Sequence, residues 1–337
     1  MTDTDKPRVV ILNDTSGRSH HGCARVMRLM VEGLERQGLQ IIARSPARHD
    51  WARDDAFLVQ LKQADLIVIN GEGTLHHGRP AGQRLLEVTR HPNARAPVAV
   101  INALWQENPA DWAVMLGKCA LVSARDSQSL AAMQAAGVEA RLVPDLSLTG
   151  GAVLQSGSRQ GLIVGDSVRL STRRLLALTA KRLRARALVP TKTRHSVLFR
   201  LPVMGALLSA AYNGVWPYAT PPLMLAAGEP AYLAALGGAQ MHLTGRFHAI
   251  CLSIVTRTPF LAVGSNSWKI EALLADAGLP ADRLIPLDAL PGLSEAALDR
   301  PFSGVETQGI AAFLTRAMTE AETLFADLTA LAHQARL

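Results

Sequence analysis

The run Thr244-Gly245-Arg246-Phe247-His248 sets a guanidinium and an imidazole on either side of one aromatic residue, directly after a short apolar strand. A helix starting there presents unpaired N–H groups and the positive end of its dipole, which favours an anion. Arg246 turns such a helix start into a clamp for phosphate or carboxylate, and His248 supplies a proton donor or acceptor beside it. Either residue alone reads as structural, a sheet-edge cap or a buried histidine. Together, after Thr-Gly at a strand's carboxyl end, they read as functional.

Other strand ends carry polar residues too. Asn13-Asp-Thr-Ser-Gly-Arg-Ser-His-His-Gly-Cys23 follows the first strand, Asn70-Gly-Glu-Gly-Thr74 the third, Asn102-Ala-Leu-Trp-Gln-Glu107 the fourth and Ser123-Ala-Arg-Asp-Ser127 the fifth. In the second half the ends supply Gly165-Asp-Ser167 and then Arg246 with His248. Gly71 and Gly73 suit close approach of backbone to a ligand. His20, His21 and Cys23, with His76 and His77, raise a metal reading, but their spacing fits no structural zinc pattern and no metal is expected. Neither a Gly-x-Ser-x-Gly elbow nor a Walker lysine loop is present, which argues against hydrolase and P-loop classes.

These residues need a scaffold of strand ends, and the chain alternates short apolar runs with helical stretches. Arg8–Leu12, Gln40–Ala43, Asp65–Ile69, Pro97–Ile101, Cys119–Val122 and Arg141–Val143 read as strands, with a helix around Cys23–Gln37. Thr149–Ser158 is small and flexible and marks a domain boundary. A second series runs through Gly161–Gly165, Ala187–Pro190, Met241–Leu243, Phe260–Val263 and Leu284–Pro286, and one amphipathic helix starts at about Val305. Continuous apolar strands separated by helices predict parallel sheets covered on both faces, joined by right-handed crossovers. The expectation is α/β: two Rossmann-like doubly wound domains, over 1–150 and 160–337, facing across a cleft in the GT-B-like manner.

Bulk composition narrows the class. The 337 residues suffice for two cores, and 48% apolar content fits a globular protein. The polar start, the absence of a long charge-free apolar run and three scattered cysteines (Cys23, Cys119, Cys251) predict a cytoplasmic chain with free thiols. The net charge of +7 is local: ten basic residues and no acid lie between Ser167 and Gly228, leaving 25 basic and 28 acidic residues elsewhere. With 4% aromatics there is no base-stacking platform, so nucleic acid is not expected as a partner. The basic 169–200 region, followed by apolar Leu201–Tyr212, suits an anionic glycan or peripheral contact with an anionic inner-membrane surface; a solvated helix face is the plain alternative.

Asn70-Gly-Glu-Gly-Thr-Leu75, Ser123-Ala-Arg-Asp-Ser127, Pro144-Asp145 and Thr244-Gly-Arg-Phe-His248 with Thr258-Pro-Phe260 and Lys269 resemble the polysaccharide pyruvyltransferase family. The resemblance runs from about Val9 to Gly278 and is weakest over 168–228. It implies a transferase of cell-surface polysaccharide biosynthesis, moving a pyruvyl group from phosphoenolpyruvate onto a sugar hydroxyl pair to form a ketal, with no cofactor beyond that donor. Arg125 and Arg246 are the implied cations for the donor's two anionic groups, with Phe247, Ser267 and Lys269 beside them. His248 is the implied general acid/base. Asp14, Asn70, Gly71 and Glu72 stand where a sugar or lipid-linked oligosaccharide acceptor would be met. Two other readings stay open: a GT-B glycosyltransferase using a nucleotide-activated sugar, and a non-catalytic binder of anionic glycans.

Overall fold

The computed structural model describes residues 6–154, 156–193, 198, 201–216 and 219–337. The chain divides into two units, one of Met1–Arg18, Arg25–Gly150 and Arg316–Leu337, the other of Ser19–Ala24 and Gly151–Thr315.

The first unit carries β1 (Arg8–Asp14), α1 (His21–Arg36), β2 (Gln40–Pro46), α2 (Asp55–Gln63), β3 (Leu66–Asn70), α3 (Pro80–Leu86), β4 (Val98–Ala103), α4 (Ala110–Leu116), β5 (Leu121–Ala124), α5 (Ser127–Ala135) and β6 (Arg141–Leu142). All its strand pairings are parallel, in the order β2-β1-β3-β4-β5-β6. Because side chains alternate across a strand, one run of apolar residues feeds two cores. Val10, Leu12, Ile67, Ile69, Val98 and Val100 pack with Trp51, Leu61 and Trp112 on one face. Val9, Ile11, Leu66, Val68, Ala99 and Ile101 pack with Met27, Met30 and Leu34 on the other.

The second unit carries β7 (Leu162–Ser167), α6 (Leu170–Arg182), β8 (Ala187–Leu188), α7 (Pro202–Asn213), α8 (Glu229–Gly237), β9 (Met241–Gly245), α9 (Phe247–Val255), β10 (Phe260–Val263), α10 (Lys269–Asp276), β11 (Leu284–Ile285) and the start of α11 (Gly304–Gln334). Its sheet is again parallel, ordered β11-β10-β9-β7-β8. In each unit the strand order reverses once, between β1 and β3 in the first and between β7 and β9 in the second. Ligands of doubly wound sheets sit outside the carboxyl ends of the strands at such reversals. The expected class, two Rossmann-like α/β units, is the one observed.

The domain assignment expected for the C-terminal residues needs correction. Residues 160–337 do not form one domain: Arg316–Leu337 belongs to the first unit. Its Leu324, Phe325 and Leu328 complete the core that holds Val9, Ile11 and Met30. An amphipathic stripe states that a helix must be covered and says nothing of which sheet covers it. Ser19–Ala24 is the reverse case, grouping with the second unit although it follows β1.

The packing of α11 on α1 depends on Gly33, where an added Cβ would lie 2.4 Å from the Phe325 ring. We expect Gly33→Ala to destabilise the fold by about 1–3 kcal/mol through overpacking, seen as a lower urea midpoint at unchanged m-value. An unchanged midpoint would show that the ring moves aside at no cost.

Candidate functional site

Arg246 follows β9 as the residue before α9, at the point where the second unit's strand order reverses. It does not stand alone. Asp166, near the end of neighbouring β7, accepts from its Nε at 2.9 Å and pairs with its Nη2 at 2.7 Å. The same carboxylate accepts from the Tyr212 hydroxyl at 2.6 Å and the Thr191 amide at 2.9 Å. With side-chain exposures of 14% for Arg246 and 3% for Asp166, the pair is nearly closed to water, so the guanidinium has one orientation. Burial alone would weaken the Arg246 charge, but the Asp166 carboxylate and Tyr212 outweigh it and hold the guanidinium more firmly protonated than usual. Burial, then Asp166, pushes the Tyr212 hydroxyl up to about 12, so it remains a donor.

Arg246 opens into a cavity of about 480 Å³ shared with Arg173, Lys192, Tyr212 and apolar residues that include Leu208 and Leu223. Among the described residues three cations line it, and the Arg173 guanidinium lies over the Tyr212 ring at 4.3 Å. The cavity suits an anion carried on a small or partly apolar body.

His248 lies buried in the first turn of α9, edge-on to Phe247. The segment Ser19–Ala24 comes against it. The His21 amide donates to the Thr191 carbonyl at 3.0 Å and the Thr193 amide to the Ser19 carbonyl at 2.9 Å, so the segment runs alongside 191–193. Gly22 is required at this contact, since an added Cβ would fall 2.2 Å from the His248 Cβ. The His20 and His248 rings meet edge-on at 5.3 Å. Burial first, and then the electrostatic influence of His248, Arg246, His21 and Lys192, hold His20 well below its ordinary pKa; it is neutral at pH 7.

His20, Cys23 and His248 also bring one ligand atom each within 4.8 Å of one another, a set of donors that a soft divalent metal accepts. The histidines considered as metal ligands from sequence therefore part company. His76 and His77 lie in the first unit, edge-on to each other, with His77 Nδ1 2.9 Å from Glu107.

A further buried histidine sets a pH dependence. His242 in β9 lies 2.8 Å through Nδ1 from the Ser253 hydroxyl, which itself donates to the Ala249 carbonyl at 2.9 Å. With the hydroxyl proton committed, His242 is the donor and is neutral. Burial, against an opposing pull from Asp166, depresses its pKa to about 3. Below its unfolded-state pKa of about 6.5 the unfolded chain takes up a proton that the fold refuses. Stability conferred by neutral His242 is thus complete above pH 6.5 and is lost as pH falls from there toward 3. We expect urea midpoints to drop over that window, with a slope of up to about 1.4 kcal/mol per pH unit from this residue. His242→Gln should flatten that slope; equal slopes in both proteins would contradict the assignment.

The remaining expected residues sort by unit. Lys269 opens α10 with its Nζ 2.7 Å from Asn266 Oδ1, and Ser267 stands just before it with a buried hydroxyl. Arg125 lies in the first unit, almost fully buried, with Nη1 3.3 Å from Asp145 and Nε 4.0 Å from Asp126. Asn70 and Glu72 are buried in one network that ties the ends of β1 and β3 together. Asn13 donates to the Asn70 carbonyl at 2.6 Å, Thr15 to Glu72 Oε2 at 2.6 Å, and the Glu72 amide to Asn70 Oδ1 at 3.2 Å. Asp14 accepts from the Ser16 amide and pairs with Arg44 at 3.5 Å. At Gly71 an added Cβ would sit 2.7 Å from the Ala103 Cβ, so its smallness serves strand packing.

Sequence reasoning missed Lys192 and Tyr212 as site residues and marked Asp166 only as a strand end. Of the basic run, Arg194 and Arg200 lie outside the described residues, as do Pro217 and Tyr218. Beside that run α7 turns Val203, Met204 and Leu207 outward, and Trp216 is 83% exposed. Among the described residues no helix is long and apolar enough to cross a membrane.

No curated protein sequence matches the chain. Solved structures share its fold: a Listeria monocytogenes protein described as a UDP-N-acetylglucosamine 2-epimerase is 11% identical, covering 98% of each chain with a TM-score of 0.57. A UDP-forming α,α-trehalose-phosphate synthase from Burkholderia vietnamiensis is 10% identical over 96% of this chain and 99% of its own, with a TM-score of 0.53. The polysaccharide pyruvyl transferase family model matches residues 27–267. That span includes Asp166, Lys192, Tyr212, Arg246 and His248, and the chain belongs to the polysaccharide pyruvyl transferase family, a family of transferases in polysaccharide biosynthesis.

Proposed function

We propose that the protein transfers the pyruvyl group of phosphoenolpyruvate onto a pair of sugar hydroxyls, forming a ketal and releasing inorganic phosphate. The observation that carries this reading is Arg246, fixed by Asp166 at the strand-order reversal, opening into a cavity that also holds Lys192 and Arg173. Such a site answers a small trianion bearing phosphate and carboxylate. In the reaction the donor's methylene carbon gains a proton and becomes a methyl group. Both sugar oxygens bond to the central carbon, and the bond from that carbon to the phosphate oxygen breaks. One hydroxyl proton ends on the methyl group and the other on phosphate.

His248, one residue beyond Phe247 from the anion clamp, is the group we assign to move the proton to carbon, with neutral His20 beside it. Fixed guanidinium and ammonium groups stabilise the negative charge gathering on the departing phosphate. Lys269 and Ser267 keep their expected part in donor binding, and Asp14, Asn70, Gly71 and Glu72 theirs in meeting the acceptor.

The test is His248→Gln, assayed by phosphate release from phosphoenolpyruvate with a panel of saccharide diols. We expect turnover to fall by about 10²–10⁴-fold while phosphoenolpyruvate still raises the melting temperature. Undiminished turnover would remove His248 from the reaction.

A further inference from the structure

The first unit holds a second cationic cavity, apart from every residue used above for donor binding or proton transfer. It has a volume of about 90 Å³ and lies at the carboxyl ends of β1, β2 and β3, where that unit's strand order reverses. Arg18, Arg48, Arg79 and Arg84 line it together with Asn13, Gly73 and Thr74. His49 lies there too, but it is matched by Asp54 at 3.4 Å.

The four arginines differ from the others near them. Arg44 and Arg53 each have a carboxylate, Asp14 and Asp50. Among the described residues, none of Arg18, Arg48, Arg79 and Arg84 has a side-chain ion pair or hydrogen bond. Four unmatched guanidiniums around one hollow repel each other, and among the described residues no carboxylate lines it to relieve them. A bound anion of high charge does. Guanidinium forks match phosphoryl oxygens, and the place is the one where doubly wound sheets take ligands. At roughly 10–15 Å³ for each water-sized group, the hollow takes roughly six to nine of them, the bulk of one or two phosphoryl units.

Asn13 shapes the floor. It closes β1 in the left-handed conformation, φ 64°, which Asn tolerates better than most residues. Its Nδ2 is committed to the Asn70 carbonyl and to Thr74 Oγ1 at 3.1 Å, so the cavity's inner wall is tied across β1 and β3. The arginines come from four separate stretches, after β1, after β2, before α3 and within α3.

We propose that this cavity is a diphosphate-binding site. Its ligand is a molecule that carries a diphosphate group, held by Arg18, Arg48, Arg79 and Arg84. That it belongs to the acceptor, a saccharide borne on a diphosphate, rests on the transfer reaction proposed above; the diphosphate site itself does not.

The test is calorimetric titration with inorganic pyrophosphate of the full chain and of the double variant Arg79→Gln/Arg84→Gln. The wild type should bind, and the double variant should bind at least tenfold more weakly. Without ligand the variant's melting temperature should equal or exceed that of the wild type, because repulsion is relieved. Its response to phosphoenolpyruvate should be unchanged. Competition then names the source: farnesyl diphosphate displacing pyrophosphate points to an isoprenoid carrier, and UDP displacing it points to a nucleotide carrier. Absent pyrophosphate binding, undiminished binding by the variant, or displacement by neither competitor would overturn the proposal. Loss of the phosphoenolpyruvate response in the variant would overturn it as well, by making this the donor site. Pyrophosphate binding without any wild-type response to phosphoenolpyruvate would sink the donor reading and leave this one standing.

Discussion

Arg246→Ala should lower kcat/KM by at least about 10²–10³-fold, the scale of removing one fixed charge-stabilising group from an active site. The loss should appear in binding and turnover together, because the donor's anionic groups are present in both ground and transition states. Stability enters this experiment, since Asp166 would remain buried with only Tyr212 and Thr191 as partners. Leaving one member of a buried pair costs roughly 3–5 kcal/mol, so the alanine variant needs a companion. Arg246→Lys is that companion. It keeps the positive charge opposite Asp166 but loses the fork, and should retain the fold while still losing about 10²-fold in kcat/KM. Asp166→Asn offers the complementary test. It removes the charge that orients Arg246 without removing Arg246, and should raise KM for phosphoenolpyruvate more than it lowers kcat. Wild-type kinetics in Arg246→Lys would show that the fork has no part in the reaction.

The largest effect on stability is expected at Arg283, which lines no part of this site. Its side chain is fully buried and its charge is matched by Glu306, with Nε at 2.5 Å from one carboxylate oxygen and Nη2 at 2.9 Å from the other. Nη1 donates to the Phe260 carbonyl and Nη2 also to that of Pro301, and the guanidinium lies 4.5 Å from the Phe302 ring centre. Glu306 belongs to a capping box at the start of α11. The Ser303 amide donates to Glu306 Oε2 at 2.7 Å and the Glu306 amide to Ser303 Oγ at 3.2 Å. One residue thus joins the end of β10's core to the helix start. Arg283→Met should cost about 3–5 kcal/mol, since it strands a buried carboxylate. Arg283→Met/Glu306→Leu should recover part of that loss, because no charge is then left unmatched. A double variant no better than the single one would mean that packing, and not charge, dominates here. Hydrogen bonding from Arg283 holds the Glu306 carboxyl at about 2 against its usual 4.5. Its contribution is therefore complete above pH 4.5 and is lost as pH falls through 2.

Much of the scaffold was legible in the sequence because parallel strands covered on both faces must be continuously apolar. Runs such as Leu66–Ile69 and Phe260–Val263 can be little else once helical stretches separate them. Arg246 and His248 were legible for a related reason: polar residues abruptly following a buried strand stand where such sheets bind ligands. What surrounds them was not. Asp166 lies 80 residues from Arg246 and Tyr212 lies 46 from Asp166, separations at which no local pattern reports a contact. Likewise nothing in the amphipathic stripe of α11 distinguishes a sheet that needs Phe325 from one that does not.

Charge misled in an instructive way. The ten basic residues between Ser167 and Gly228 stand out along the chain because no acid interrupts them. The four unmatched arginines at 18, 48, 79 and 84 do not, because acids lie among them in sequence and not around their cavity. Net charge counts residues, whereas binding depends on which of them lack partners in space. His20 makes the same point. Sequence sets it beside His21 and Cys23, whereas the fold also brings His248 and Lys192 to it from far along the chain.

The central claim is that phosphoenolpyruvate is the donor held by Arg246, and ligand-dependent thermal stability tests it most directly. The wild type would be melted with phosphoenolpyruvate and, separately, with UDP and a panel of nucleotide sugars. At a hundredfold over its dissociation constant a bound ligand adds about 2.7 kcal/mol, a shift readily seen. We predict a rise with phosphoenolpyruvate that vanishes in Arg246→Lys. A rise with a nucleotide sugar and none with phosphoenolpyruvate would contradict the claim and make the cavity beside Arg246 a nucleotide-sugar site.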